Sequence, residues 1–170
     1  IEVGTATLYL ADSETPTPSV GFQSATGATT EAPDGTTGLY RDIPVTLTQA
    51  SADTVTVEYR SGGGTSTGDD VDWTFVDASN VPLSIGVLTF PPGSTTQNVR
   101  VKINNDGVIE GSETALFELK NARLARISGS RGVHTLTINE ANNPTPRVSF
   151  LVSASTRSEG SGSEPLMMAV

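Results

Sequence analysis

The sequence contains no cysteine, few aromatic residues and no long apolar run. The absence of cysteine excludes disulfides, thiolate metal sites and a cysteine nucleophile. No apolar stretch approaches the ~20 residues that a membrane-spanning helix needs, so we predict no membrane insertion. Positive charge is also scarce: 10 Lys and Arg residues face 19 Asp and Glu residues, giving a formal net charge of −9. Because phosphate binding needs clustered Lys and Arg, we predict that nucleic acid is not a partner.

No segment keeps the period of about 3.6 residues that marks an amphipathic helix, so we expect almost no helix. Instead, Thr- and Val-rich segments alternate apolar with polar residues, which is the pattern of half-buried strands. The apolar positions of the clearest segments are Val20 and Phe22; Ile43, Val45 and Leu47; Val55, Val57 and Tyr59; Val99, Val101 and Ile103; Ala115, Phe117 and Leu119; Leu136 and Ile138. About seven short strands separated by turn residues predict an all-β antiparallel sandwich. Residues 24–38 lack the alternation, and we expect an irregular, kinked polar stretch there.

The sequence repeats itself at one fixed spacing. The matched pairs are residues 4–10 with 132–138, residues 16–22 with 144–150, and Glu31 with Glu159. In all three pairs the positions lie 128 residues apart, without a gap. A repeat of this length is domain-sized and far longer than the 20–50 residues of a solenoid repeat.

The repeat predicts the domain organisation. We expect residues 1–14 to be the last strand of a preceding repeat and residues 15–142 to be one complete β-sandwich. Residues 143–170 would be the first strands of a following repeat. The Pro-Thr-Pro segments at the two boundaries suit short, stiff, extended linkers.

The stretch 103–114 joins two alternating segments and holds three carboxylates, two Asn amides and two glycines. Asp and Asn favour tight turns, and Gly removes the steric cost of positive φ. Such a loop gathers oxygen atoms at the rim of a sheet, and calcium takes six to eight oxygen ligands, several of them carboxylates. The stretch is therefore either a metal-binding loop or a polar turn.

Several motifs resemble the Calx-beta domain family. The most specific is the run from Val101 to Phe117, in which an apolar strand ends in paired acidic or amide residues, followed by E-x-x-E and a second strand. Residues 86–93 are similar to the family's G-x-L-x-F-x-x-G signature, and residues 64–66, 70–73 and 135–138 add support. The resemblance implies an immunoglobulin-like Greek-key sandwich of about seven strands.

The resemblance also implies a calcium site at the domain rim. Its ligands carry over as Glu31, Asp72 or alternatively Asp70, Asn105, Asp106, Glu110, Glu113 and Glu140, with Asn142 at the last position. Asn105 and Asn142 stand where the family has acids, and each removes a charge while keeping an oxygen. We therefore expect one or two weakly bound calcium ions, or none. Lys102 is the only basic residue next to the central loop, so repulsion among the carboxylates favours a cation.

The resemblance further implies a non-enzymatic structural or adhesion module in tandem repeats, located at the cell surface or outside the cell. Its partners would be neighbouring repeats of the same protein. The alternative is a subunit of an extracellular filament, a homopolymer formed by strand exchange between repeats without a metal. A carbohydrate-binding module is a third, remote hypothesis, with Trp73 as its stacking platform; a core position for Trp73 is the simpler interpretation.

Two catalytic or metal interpretations have less support from the residues. Glu110 and Glu113 could form a glycosidase acid/base pair, but that chemistry needs a defined carboxyl separation across a cleft. His134 is the only histidine, and no other ligands stand at zinc spacing around it. We expect His134 to be an ordinary strand residue, and we predict no catalytic site.

Overall fold

A computed structural model of the protein describes residues 16–33 and 36–141, and these residues form strands and turns. The strands are β1 Ser19–Phe22, β2 Thr26–Thr30, β3 Leu39–Leu47, β4 Val55–Gly64, β5 Trp73–Val76, β6 Pro82–Leu83, β7 Ile85–Phe90, β8 Thr96–Ile103, β9 Glu113–Arg123, β10 Arg126–Ile127 and β11 Val133–Asn139. Within the described ranges there is no helix long and apolar enough to cross a membrane.

The strands form two facing sheets. One sheet has the order β10-β1-β3-β8-β5-β6 and the other has the order β2-β11-β9-β4-β7. All pairings are antiparallel except two, β1 with β10 and β2 with β11, which are parallel. This arrangement confirms the predicted all-β sandwich. The structure has 11 strands where about seven were expected, in part because two elements are only two residues long and the first strand is divided in two.

The alternating segments supply the core, as predicted. Every apolar position named for these segments is at most 7% exposed. Phe117 of β9 joins the two sheets, because its ring centroid lies 4.9 Å from those of both Trp73 and Phe75 on the opposite sheet. Aromatic edge-to-face pairs of this kind stabilise a core by more than their buried area alone. Trp73 is 4% exposed, which confirms its expected place in the core.

The first strand changes sheets, and the expectation of an irregular stretch after it was wrong in part. β1 pairs with β3, whereas β2 lies at the edge of the other sheet and pairs in parallel with Thr135–Asn139. The sequence Thr26–Thr30 shows no alternation because β2 is an edge strand that buries only Thr29. Its backbone hydrogen bonds come from a strand more than 100 residues away, which local sequence cannot indicate.

The two ends of the sandwich have different compositions. We call the end where β1 begins the N-terminal pole; it contains residues 48–54, 91–95 and 123–126. We call the end where β11 finishes the C-terminal pole; it contains residues 31–33, 65–72, 104–112 and 139–141. The strands therefore bring every predicted ligand that the structure describes to one pole.

The predicted partial repeats, residues 1–14 and 143–170, lie outside the described residues, as does Asn142. The division of the chain into one complete and two partial repeats remains a prediction from the 128-residue spacing.

Candidate metal centre

Strand register positions the middle of the site. Trp73 of β5 pairs with Ile103 of β8, so the residues flanking this pair, Asp72 and Asn104, leave the sheet side by side. The Asn104 N–H donates to the Asp72 carbonyl oxygen at 2.8 Å. This hydrogen bond ties the 65–72 turn to the start of the acidic loop and sets the position of Asp72.

Three carboxylates meet at the C-terminal pole. One oxygen atom each from Asp72, Glu110 and Glu113 lies within 4.8 Å of the other two. Asp72 is 3% exposed, and its Oδ2 accepts a hydrogen bond from the Thr67 N–H at 2.5 Å. Loss of hydration raises the pKa of the Glu113 carboxyl, and the charges of Asp72 and Glu110 raise it further. We call these three residues the carboxylate triad.

Glu31 lies in a second, adjoining group with Glu140 and Asp106. Its backbone N–H donates to the Asn139 carbonyl at 2.9 Å, which anchors Glu31 beside the end of β11. The pKa of the Glu31 carboxyl is raised to about 7, mainly by burial. A hydrogen bond from the Ala141 N–H lowers this pKa, whereas the negative charges of Glu140 and Asp106 raise it further. Glu31 thus titrates near neutral pH instead of near pH 4.5.

Glu110 connects the two groups. Its backbone N–H donates to Glu140 Oε2 at 3.0 Å, which brings the acidic loop against the end of β11. Partial loss of hydration raises the pKa of the Glu110 carboxyl. The negative charges of Asp72, Asp106 and Glu140 raise it further, by smaller amounts. Six carboxylates from four separate segments therefore influence one another across the pole.

Turns built by side chains shape the acidic loop. Asn105 Oδ1 accepts from the Gly107 N–H and Asp106 Oδ1 accepts from the Val108 N–H, each at 2.8 Å. These hydrogen bonds form the local turns that Asn and Asp favour. The Asn105 amide also donates to the Ala32 carbonyl at 3.0 Å, which links the loop to the segment carrying Glu31. Asn105 therefore braces the site with an NH₂ group that an aspartate would lack.

Asp70, the sequence-based alternative to Asp72, is not one of the three grouped carboxylates and has partners of its own. Its Oδ1 lies 3.0 Å from Lys102 Nζ and accepts a hydrogen bond from the Asn104 amide, also at 3.0 Å. These two hydrogen bonds lower the pKa of the Asp70 carboxyl, and the one from Asn104 has the larger effect. Within the described residues, the basic side chain nearest the loop in sequence is thus paired with Asp70, and no ion pair involves the triad.

The remaining candidates for chemistry do not join this site. The Trp73 ring is buried, with its Nε1–H donating to Ser66 Oγ at 3.1 Å, so it offers no exposed stacking face. His134 is 3% exposed and its Nδ1 lies 2.8 Å from the Ser24 carbonyl oxygen, so it is a buried strand residue as expected. Glu110, one half of the hypothetical glycosidase pair, lies exposed on the rim loop.

Sequence reasoning did not identify the groups that support the acidic residues. Thr67 contributes a backbone N–H, which carries no side-chain signal, and Asn104 orients both Asp70 and Asp72. Ser112 donates to Asn139 Oδ1 at 3.0 Å and fixes the far end of the loop against β11. Of these groups, only Asn104 gave a signal in the sequence, because it is the first of two consecutive Asn residues in the acidic loop.

The donor set fits a hard divalent cation. Calcium prefers carboxylate and carbonyl oxygens at about 2.3–2.6 Å, so oxygens within 4.8 Å of each other can share one ion. The raised pKa values of Glu110 and Glu113 indicate a repulsion that a cation would relieve. The assignment of individual ligands remains a prediction.

The fold and the site define the chain as an antiparallel β-sandwich module with an acidic pole. The chain belongs to the Calx-beta domain family, whose sequence profile matches residues 14–142. This match confirms the resemblance drawn from the motifs. No curated protein matches the chain.

Solved structures share the fold. The apo form of the Calx CBD1 domain is 21% identical with a TM-score of 0.59, over 74% of this chain and 98% of that one. CBD12 from CALX1.2 is 22% identical with a TM-score of 0.56, over 71% of this chain but only 43% of that longer chain. A putative carbohydrate-binding protein from Bacteroides ovatus is 12% identical with a TM-score of 0.55, over 72% of this chain and 37% of that one. At these identities the likeness concerns the fold alone.

Proposed function

We propose that the chain is a non-enzymatic structural repeat module of a secreted or cell-surface protein, stiffened by calcium at the C-terminal pole. The observation that carries the proposal is the carboxylate triad, whose oxygens converge within 4.8 Å. Membership of the Calx-beta family supports the choice of calcium. Asp72, Glu110 and Glu113 would hold the ion, and Glu31, Asp106 and Glu140 would add ligands or charge.

Calcium would act through linkage, because an ion that binds only the folded pole stabilises the folded state. Expected dissociation constants for an extracellular site of this type are about 0.1–1 mM. Calcium at about 10 mM would then add roughly 1.4–2.7 kcal/mol to the free energy of unfolding. For a domain of this size, that corresponds to a rise in melting temperature of about 5–10 °C.

The test is a thermal melt of the full chain with calcium and with chelator. Asp72→Asn should abolish most of the calcium-dependent rise. Asp70→Asn is the matched control, because Asp70 is paired with Lys102 and should leave the rise intact. A midpoint that does not change between chelator and 10 mM calcium would refute the metal proposal.

A second candidate function is assembly into an extracellular filament by strand addition. The observation that favours it is β7, the last strand of its sheet in the described part of the chain, where Ile85 and Val87 are 56% and 58% exposed. Open strand edges with exposed apolar side chains are templates for pairing with another chain. Light scattering of the full chain would show polymers that grow with concentration and ignore chelator, whereas a monomer at all concentrations would contradict assembly.

A further inference from the structure

The hydrogen-bond pattern of the second sheet identifies the free backbone groups of its edge strand β7. In an antiparallel sheet, consecutive residues direct their N–H and C=O groups to opposite sides. The Leu119 N–H donates to the Gly132 carbonyl at 2.9 Å, so Leu119 faces β11 and its neighbours in β9 face β4. This alternation continues through β4, so that every second residue of β7 bonds to β4 and the others face outward, namely Ile85, Val87 and Thr89. In the part of the chain that the structure describes, no strand pairs with β7 on that side.

The β7 edge lacks the features that usually prevent strand pairing. Natural edge strands are kept short or carry Lys or Pro. Two other edge strands, β6 and β10, have only two residues each, and β6 begins with Pro82. By contrast, Ile85–Phe90 contains no charged residue and no proline, and the Ile85 and Val87 side chains are 56% and 58% exposed. This edge is therefore suited to accept an additional strand.

A cavity of about 590 Å³ lies beside β7 and is lined by residues of both sheets. Tyr59 and Leu88 belong to the sheet of β7, whereas Val76 and Leu83 belong to the other sheet. Successive side chains of an added strand would point to opposite faces of the extended sheet. One set would lie on the outer face beside Ile85 and Val87, and the other set would point toward the cavity. The cavity can thus select side chains at alternate positions of a bound strand.

Two carboxylates give this surface a negative charge. Asp77 lines the cavity, and its Oδ1 accepts hydrogen bonds from two backbone N–H groups of its own turn, which fix its position. Burial raises the pKa of the Tyr59 hydroxyl, and the nearby charge of Asp77 raises it further. On the outer face, Glu58 of β4 is paired with Val87. Within the described residues, neither Asp77 nor Glu58 forms an ion pair.

These charges indicate what kind of strand fits the edge. A second copy of the chain, paired through its own β7, would bring another Asp77 and Glu58 to the contact, and its formal net charge is also −9. Like charges across an interface disfavour association, whereas opposite charges favour it. A strand that carries Lys or Arg would therefore be preferred over a second copy.

We propose that β7 binds an extended peptide segment of a different protein by antiparallel strand addition, and that this segment alternates apolar residues with Lys or Arg. Its backbone pairs with the outward-facing groups of β7, which supply most of the affinity. Its apolar side chains pack beside Ile85 and Val87, and a basic side chain enters the cavity toward Asp77. This peptide-binding role goes beyond the calcium-stiffened module, and it uses the edge that the second candidate function assigns to self-assembly.

The test measures the binding of synthetic peptides to the full chain by fluorescence anisotropy in chelator. The probe is a labelled peptide of four Val-Lys repeats. One comparison peptide replaces every Lys with Glu. A second comparison peptide carries an N-methyl group on every Val, which removes the backbone donors that would face β7 and keeps the positive charge.

The Val-Lys peptide should bind at least about tenfold more tightly than either comparison peptide. Attraction to the acidic rim alone would be the same for the N-methylated peptide, so equal affinities for these two peptides would overturn strand addition. Equal affinities for the Lys and Glu peptides would overturn the choice of a basic segment.

Two variants locate the binding surface on the protein. Val87→Pro removes a backbone N–H that faces away from β4, so it should weaken binding of the Val-Lys peptide by about tenfold or more and leave the pairing with β4 in place. Asp77→Asn keeps the Oδ1 acceptor but removes the charge, and it should weaken binding by about threefold. The matched control is Asp69→Asn, which removes an exposed carboxylate outside this cavity and should change nothing. Full affinity in a folded Val87→Pro chain, or equal effects of the two Asn variants, would contradict the proposal.

Light scattering of the same samples distinguishes the peptide from a second copy. If the chain alone polymerises and Val87→Pro prevents this, the occupant of the edge is a second copy, and the peptide proposal is wrong. A monomer that binds the Val-Lys peptide supports the proposal. Because peptide binding is measured in chelator, its outcome does not depend on whether calcium stabilises the C-terminal pole.

Discussion

Glu31 should make stability respond to pH in opposite directions with and without calcium. The side chain is 7% exposed, and burial together with the neighbouring carboxylates raises the pKa of its carboxyl to about 7. In chelator, ionising Glu31 costs folding free energy because its charge is desolvated and repelled. With calcium, we expect the same charge to help hold the ion and therefore to stabilise the folded chain.

The size of the effect follows from proton linkage. Because the pKa of the Glu31 carboxyl is higher in the folded state than its ordinary value of 4.5, the folded chain binds more protons between about pH 4.5 and pH 7. Its contribution to stability is therefore complete below pH 4.5 and is lost as the pH rises through 7. The upper limit is about 3 kcal/mol, and relaxation of the rim reduces this to about 1–3 kcal/mol, or several degrees in melting temperature.

The assay is a set of thermal melts from pH 5 to pH 8 on the wild type and on Glu31→Gln. The Gln side chain keeps an acceptor for the Ala141 N–H but carries no charge. In chelator at pH 8, Glu31→Gln should be the more stable chain; in 10 mM calcium the order should reverse. The control is Asp53→Asn, which removes a charge from an exposed loop at the opposite pole. Its stability relative to the wild type should be the same in chelator and in calcium.

Parallel pH profiles for the wild type and Glu31→Gln in chelator would refute the reasoning. That result would mean that Glu31 is hydrated and titrates normally in the folded chain. Loss of the calcium-dependent reversal alone would leave the burial argument standing and would remove Glu31 from the ion's ligands.

Three further perturbations test the fold and the rim. Phe117→Ala removes the ring that joins the sheets and should cost about 3–5 kcal/mol in urea unfolding; a loss below 1 kcal/mol would contradict its central position. Gly86→Ala should cost about 1–3 kcal/mol, because the new Cβ would lie 2.0 Å from Cζ of the Tyr59 ring; a melting temperature equal to wild type would count against this close approach. Asn105→Asp should destabilise the chain in chelator by about 1–3 kcal/mol, because the carboxylate cannot donate to the Ala32 carbonyl; a gain in stability there would show that this brace is dispensable.

Most of the core was predictable from sequence because the signal is local. Val55, Val57 and Tyr59 alternate with polar residues, and that alternation by itself puts them on one face of a strand. β2 was not predictable, because its residues are mostly exposed and its partner, β11, lies far along the chain. A parallel edge strand is defined by its pairing with residues far along the chain, and a single sequence does not show which distant residues pair.

The acidic residues of the candidate site could be listed from the sequence, but their arrangement could not be predicted. Asp70 and Asp72 have the same chemistry and lie two residues apart, so sequence could not decide between them. The turn gives them different surroundings, because Asp70 has φ of +70° and pairs with Lys102, whereas Asp72 accepts from the Thr67 N–H and lies with Glu110 and Glu113. Which of the two binds an ion remains a prediction. Likewise, Asn105 looked like a missing charge, and the structure gives it a hydrogen-bonding task that an acid could not perform.

The parallel pairing of β2 with β11 has a mechanical consequence. The chain enters at one pole through β1 and β2 and leaves at the other through β11, with the five residues Thr26–Thr30 paired alongside Thr135–Asn139. A pull on the two ends would drag these strands in opposite directions along their common axis. Their hydrogen bonds would be loaded together in shear and would not break one after another. A module built in this way suits a tether that must resist tension.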